Sequence, residues 1–206
     1  MGGFFANTRK PEGLGGKLMV SMMNSGHSAV GKWGISHLHI AKNAKILDIG
    51  CGGGGNIRTM LKYFPGSSVT GVDYSPVSVQ KSQKLNHREI QSRRCRILQG
   101  DAASLPFTAH SFDQVTAFET VYFWQDITHA FQEVLRILKP GGQFLICNES
   151  DGLVPAQEKW CDIIGGMKIY RQEELASLLA SAGFVNVHAY ENPQKHWLCV
   201  TANAPE

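Results

Sequence analysis

The run Asp48-Ile49-Gly50-Cys51-Gly52-Gly53-Gly54-Gly55-Asn56 constrains this chain more than any other stretch. It follows a short apolar segment, Lys45–Ile49, and precedes one in which Ile57, Met60, Leu61 and Phe64 recur at helical spacing. The first reads as a buried strand, the second as a helix with one apolar stripe. Glycines between them permit a tight turn and let the backbone approach a ligand closely. The first helical turn also leaves N–H donors without intrahelical partners. Such a unit belongs to an open α/β sheet, in which ligands sit outside the carboxyl ends of the strands.

The rest of the chain repeats the alternation. Residues 68–72 read as a strand ending at Asp73, and Ser75-Pro76 opens a helix running to about Ile90. Strands are expected at 94–98, before Gly100-Asp101, and at 112–118, before Glu119. A helix carrying Phe131, Val134, Leu135 and Leu138 follows, then a tight turn at Lys139-Pro140-Gly141-Gly142 and a strand at 143–147. Residues 150–170 form a loop with one short helix, and Leu175, Leu178, Leu179 and Ala182 mark another helix. Strands at 184–190 and 196–201 have no room for a helix between them and make an antiparallel hairpin. A further helix is expected at 28–41, ahead of the first strand. The expected fold is a doubly wound α/β sheet of seven strands, mostly parallel, with helices on both faces.

With 206 residues the chain is expected to be a single domain. Residues 1–44 would form an N-terminal helical lid segment, 45–206 the core, and 150–170 an insertion beside the substrate. A formal net charge of +3 gives no argument for nucleic acid or an anionic membrane. The five cysteines, Cys51, Cys95, Cys147, Cys161 and Cys199, are scattered and form no Cys-x-x-Cys pair. Neither a disulfide framework nor a structural metal is expected from them. No apolar core follows Arg9 and Lys10, so the N-terminus reads as neither signal peptide nor membrane span, and a cytoplasmic location is expected.

The glycine turn alone leaves its ligand open. Gly50-x-Gly52-x-x-Gly55 satisfies the dinucleotide fingerprint, and Asp73 lies where a ribose-binding acid is expected. Two features point away from a nicotinamide dinucleotide. Asp48 precedes the first glycine, where a carboxylate suits an ammonium group better than a pyrophosphate. One sheet also consumes the whole sequence and leaves no separate substrate domain.

In this order and spacing, five pieces resemble the class I S-adenosylmethionine-dependent methyltransferases, particularly the small-molecule type of quinone biosynthesis. They are residues 47–54, Gly71-Val72-Asp73-Tyr74-Ser75-Pro76, Gly100-Asp101-Ala102-Ala103-Ser104-Leu105-Pro106-Phe107, Ser111-Phe112-Asp113 and residues 138–142. The resemblance implies that Asp48, through water, and the backbone of Gly50, Cys51, Gly52 and Gly54 hold the methionine part of S-adenosylmethionine. It implies that Asp73 accepts both ribose hydroxyls, as an ionised carboxylate can. Tyr74 would lie against the adenine, Asp101 would accept from its amino group beside Ala102, and Glu119 would face the methionine end. The implied product is S-adenosylhomocysteine, and no metal is expected. Each of these acids also suits a helix cap, a role that needs no ligand.

Methyl transfer from a sulfonium is an in-line displacement, and positioning the nucleophile supplies much of its acceleration. A base is needed only where the acceptor must lose a proton. The catalytic residues thus depend on the acceptor: Glu119, Tyr122 and His27 are the candidates, with a structural histidine the alternative for His27, and Tyr122, Trp124 and Trp160 are the expected acceptor-pocket aromatics, with core packing the alternative for Trp124. No Asp/Asn-Pro-Pro-Tyr/Phe motif of DNA amino-methyltransferases follows the fourth strand, nor does the cysteine of RNA cytosine methyltransferases. The expected partner is thus a small-molecule acceptor. A protein that binds the cofactor without turnover, or a nicotinamide oxidoreductase, are the alternatives.

Overall fold

A computed structural model describes residues 27–206 of the chain. Residues 1–26, and with them most of the expected lid, lie outside the described part.

The elements, in chain order, are α1 (Ser28–Ile35), β1 (Lys45–Ile49), α2 (Gly55–Tyr63), β2 (Ser68–Asp73), α3 (Pro76–Leu85), α4 (His87–Gln91), β3 (Cys95–Gln99) and β4 (Phe112–Phe118). A 3₁₀ turn at Val121–Phe123 leads to α5 (Ile127–Ile137), β5 (Leu138–Asn148), α6 (Pro155–Ile163), α7 (Gln172–Ser181), β6 (Val185–Asn192) and β7 (Trp197–Asn203). The strands form one sheet in the order β3-β2-β1-β4-β5-β7-β6. The first five are parallel, and β7 runs antiparallel to both β5 and β6.

Alternation along the strands sends side chains into two separate cores. Leu47 and Ile49 of β1, with Phe144 and Ile146 of β5, enter one core with Phe131 of α5 and Leu175 of α7. Ile46, Leu145 and Cys147 enter the other, with Val30 of α1 and Ile57 and Met60 of α2. The apolar stripe of α2 read from sequence is thus the face set against the sheet, apart from Phe64, which lies just past its end. No helix among the described residues is long and apolar enough to cross a membrane.

Three local expectations are corrected. The first helix stops at Ile35, where the Ser36 hydroxyl donates to the Trp33 carbonyl at 2.6 Å; Leu38 is buried from a turn. The helix after Ser75-Pro76 breaks at Asn86, whose side-chain amide donates to the Ser82 carbonyl at 3.0 Å and reaches across to the Gly54 carbonyl at 3.2 Å. Lys139-Pro140-Gly141-Gly142 is the irregular start of β5 rather than a tight turn ahead of it. Gly141 takes φ +70° there, its N–H donates to the Pro205 carbonyl, and Lys139 reaches the Asp113 carboxylate at 2.6 Å.

Candidate functional site

A cleft of about 640 Å³ opens at the carboxyl ends of the strands, with the glycine turn as its floor. It lies where the chain order reverses across the sheet, between β1 and β4.

The turn is built by internal hydrogen bonds. Gly50 and Cys51 donate their N–H groups to the Val72 carbonyl at 2.8 and 3.0 Å, and Gly54 donates to the Cys51 carbonyl at 2.9 Å. Gly52 donates to the Asp73 carboxylate at 2.8 Å. These four amides hold the loop, while Gly53, Gly55 and Asn56 bring the rest of the turn and the first turn of α2 to the cleft wall. Gly52, at φ +52°, has no atom within 4 Å of the place where a Cβ would stand. The backbone is open to close approach at that point.

Asp73 closes the second strand. Its other oxygen accepts the Ser75 N–H at 2.9 Å. Burial pushes its carboxyl above the ordinary range, against the pull of the Ser75 and Gly52 N–H groups. Each carboxylate oxygen has a second lone pair, so the two bonds leave capacity for a diol. Tyr74 lines the cleft with about half its surface exposed (53%). Asp101 and Ala102 line the same side, and Asp101 accepts the Ala103 N–H at 2.9 Å, as a turn-forming aspartate does.

Asp48 is placed behind the floor, buried, and not on the cleft wall. One oxygen accepts the Thr116 hydroxyl at 2.8 Å, and the other has no hydrogen-bond partner among the described residues. Burial pushes this carboxyl up to about 7, opposed by Thr116 and reinforced by the charge of Asp73. Gly54 also lies off the wall, while Gly50, Cys51 and Gly52 lie on it.

The far wall comes from β4 and from the start of α1. Glu119 lines it, in left-handed backbone (φ +55°). Its carboxylate accepts the Glu149 N–H, while burial and the Glu149 charge push it well above the carboxylate range. His27 lines the wall and stands 3.3 Å from the Glu149 carboxylate. Trp124 has one role in each place: it borders the cleft and packs on Phe131 and Phe144, ring centroids 6.0 and 6.5 Å apart.

Two expected pocket residues are elsewhere. Tyr122 is buried off the cleft, its hydroxyl accepting the Ser150 N–H at 3.2 Å, because the 3₁₀ turn points it under β5's exit. Trp160 lies on α6, away from the cleft, beneath the Lys159 ammonium. Sequence reading missed Asn56, Thr120, Phe123, Gln125 and Asp126, all on the wall. The glycine at 31 was a signal for Asn56: a Cβ there would stand 2.2 Å from the Asn56 side-chain oxygen.

A doubly wound sheet with an antiparallel terminal hairpin, and a glycine turn latched to the acid ending β2, is the class I, Rossmann-like methyltransferase fold. Residues 47–146 match the methyltransferase domain family. Sterol 24-C-methyltransferase of Gibberella zeae is 35% identical over 52% of this chain and 28% of its own. Erythromycin 3''-O-methyltransferase of Saccharopolyspora erythraea is 29% identical over 77% of this chain and 57% of its own. The chain therefore spans between about a quarter and somewhat over half of the length of these relatives. In solved structures, a chain of the complex with the Haloferax volcanii Trm112 methyltransferase activator superposes with TM-score 0.81 at 22% identity, covering 91% of this chain and 94% of that one. Phosphoethanolamine N-methyltransferase 2 of Haemonchus contortus, in complex with S-adenosylmethionine, gives 0.72 at 19% identity over 99% of this chain and 57% of that one.

Proposed function

We propose that this protein transfers the methyl group of S-adenosylmethionine to a small-molecule acceptor. The observation that carries the reading is the Asp73 latch. A carboxylate at the end of β2 is fixed beside the glycine floor by the Gly52 and Ser75 N–H groups, with lone pairs left for a ribose diol.

The cleft extends from that point in both directions. Tyr74, Asp101 and Ala102 form the adenine side, where an exposed ring can stack and a carboxylate can accept from an amine. Glu119 and the glycine turn form the methionine side, and Asp48 stands behind the floor, where its ionised form adds negative potential. His27, Phe123 and Trp124 border the remaining space, which suits a planar or apolar acceptor. Protein groups need only place that acceptor in line with the methyl–sulfur bond and exclude water. The whole chain is proposed to act as one domain.

The mild net charge supports a small acceptor over nucleic acid. The five free cysteines support a reducing, cytoplasmic setting.

Isothermal titration with S-adenosylmethionine, S-adenosylhomocysteine and NAD, beside Asp73→Ala, tests the reading. Micromolar binding of the two sulfur compounds, lost in the variant, is expected. Binding of NAD instead, or of none of them, overturns it. A panel of hydroxyl, amine and carbon acceptors then separates an enzyme from a protein that only binds the cofactor.

A further inference from the structure

The carboxyl ends of β4 and β5 deliver two glutamates to one point. Phe118 and Cys147 are register partners, and the Glu119 N–H donates to the Cys147 carbonyl at 3.0 Å. Glu119 and Glu149 therefore leave neighbouring strands within one residue of the same level. The Glu149 N–H donates to the Glu119 carboxylate and fixes its orientation.

The third group comes from another layer. Helix α1 lies on the face of β5, where Gly34 lets it approach so closely that a Cβ would stand 2.6 Å from the Cys147 sulfur. The Cys147 thiol also points at the Val30 carbonyl, 3.6 Å away. This seating places His27, at the start of α1, over the two glutamates. One donor atom from each of His27, Glu119 and Glu149 lies within 4.8 Å of the other two.

We propose that His27, Glu119 and Glu149 form a divalent-metal site where the methionine side of the cleft meets the acceptor space. Ligand atoms about 2.1 Å from an ion stand roughly 3–4 Å apart, so a small rotation of the partly exposed His27 and Glu149 side chains closes the triad. One imidazole and two carboxylates suit Mn(II), Fe(II) or Zn(II). The charges agree: two carboxylates this close repel when both are ionised, and a dication offsets that repulsion where a protonated imidazole supplies only one unit. Three protein ligands leave coordination positions open, as catalytic sites require. Since His27 and Glu119 line the cleft, those positions are accessible from it. Resting on the methyl-transfer reading, the acceptor class this selects is one that binds the ion through oxygen: a phenol, an enol or a hydroxy acid. His27 and Glu119 stood out in the sequence only as catalytic candidates; their grouping with Glu149 did not, because the ligands come from three separate elements in no metal-binding spacing.

The whole 206-residue chain, stripped with chelator, is titrated with Mn(II) by calorimetry and electron paramagnetic resonance, and separately with Zn(II). S-adenosylhomocysteine is titrated into the same preparations. Wild type is expected to take up one ion at micromolar affinity. His27→Ala and Glu149→Gln are each expected to weaken it by more than about tenfold, since even indirect partners of a metal are worth that much. Circular-dichroism melts and retained S-adenosylhomocysteine binding show that Glu149→Gln is folded. Stoichiometric uptake lost in both variants supports the site, including in a protein that fails to bind the sulfur compound, where only the methyl-transfer reading falls. No stoichiometric uptake by wild type, or equal uptake by the folded variants, overturns it.

Discussion

The Asp73 carboxylate accepts the backbone N–H of Gly52 at 2.8 Å, joining the end of β2 to the turn after β1. The same carboxylate accepts the Ser75 N–H that precedes α3. One side chain therefore sets the floor of the cleft and the entry to a helix. Asp73→Ala leaves two amides without acceptors and is expected to cost roughly 1–3 kcal/mol in urea unfolding. Asp73→Asn retains an oxygen for one of them and is expected to fall between. Unchanged unfolding of Asp73→Ala would show that water replaces the carboxylate at no cost.

Asp48 makes stability depend on pH with a definite sign. Its carboxyl is raised by burial to about 7 from an ordinary value of 3.8. Between those values the unfolded chain has lost the proton and the folded one keeps it. The folded state binds more protons, so this group's contribution falls as pH rises from about 4 to 7, then levels off. Its full span is on the order of a few kcal/mol. Asp48→Asn, which preserves an acceptor for Thr116, is expected to flatten that part of the unfolding-versus-pH curve. The cofactor's ammonium favours the ionised form, so wild-type affinity is expected to climb as pH rises through 7, and the variant's to stay level. Calorimetry at pH 6 and pH 8 reads the difference.

Gly50 combines two demands. It sits at φ +69°, and a Cβ there would stand 2.2 Å from the Thr120 hydroxyl. Gly50→Ala pays for left-handed backbone and for displacing the loop after β4, together about 2–4 kcal/mol. A thermal melt reads the loss, and S-adenosylhomocysteine affinity is expected to drop because Thr120 lines the cleft. Gly34→Ala has no backbone strain but meets Cys147 and Phe118 at 2.6 and 2.8 Å. It is expected to push α1 off the sheet and weaken metal uptake more than cofactor binding.

Asn86, fully buried, ties the break after α3 to the glycine turn through its bonds to the Ser82 and Gly54 carbonyls. Asn86→Ala deletes both and opens a void, with an expected loss of about 1–3 kcal/mol. Since Gly54 precedes α2, amide exchange in the glycine turn should quicken as well. Normal protection of residues 50–56 in the variant would mean that the tie does not reach the turn.

Much of the fold was legible because strand and helix periods are local. Ile46, Leu47 and Ile49 announce a strand buried on both faces, and Ile57, Met60 and Leu61 a helix laid on it. The terminal hairpin followed from its short connection. The places of Asp73, Tyr74 and Asp101 on the cleft were legible too, since each lies at or within two residues of the carboxyl end of a strand.

Other features depend on contacts between distant segments. Helix termination at Ser36 and at Asn86 is decided by side-chain bonds that compete with the helical pattern. The burial of Tyr122 and the exit of Trp160 depend on how β5 leaves the sheet, which residue type cannot reveal. The sequence by itself determined the sheet, its strand-end acids and the glycine turn, because hydrophobic period and chain order fix them. Only tertiary structure decided that Asp48 stands behind the floor and that His27, Glu119 and Glu149 meet. Their meeting depends on the register of β4 with β5 and on the close seating of α1, which arise from packing between segments far apart in the chain.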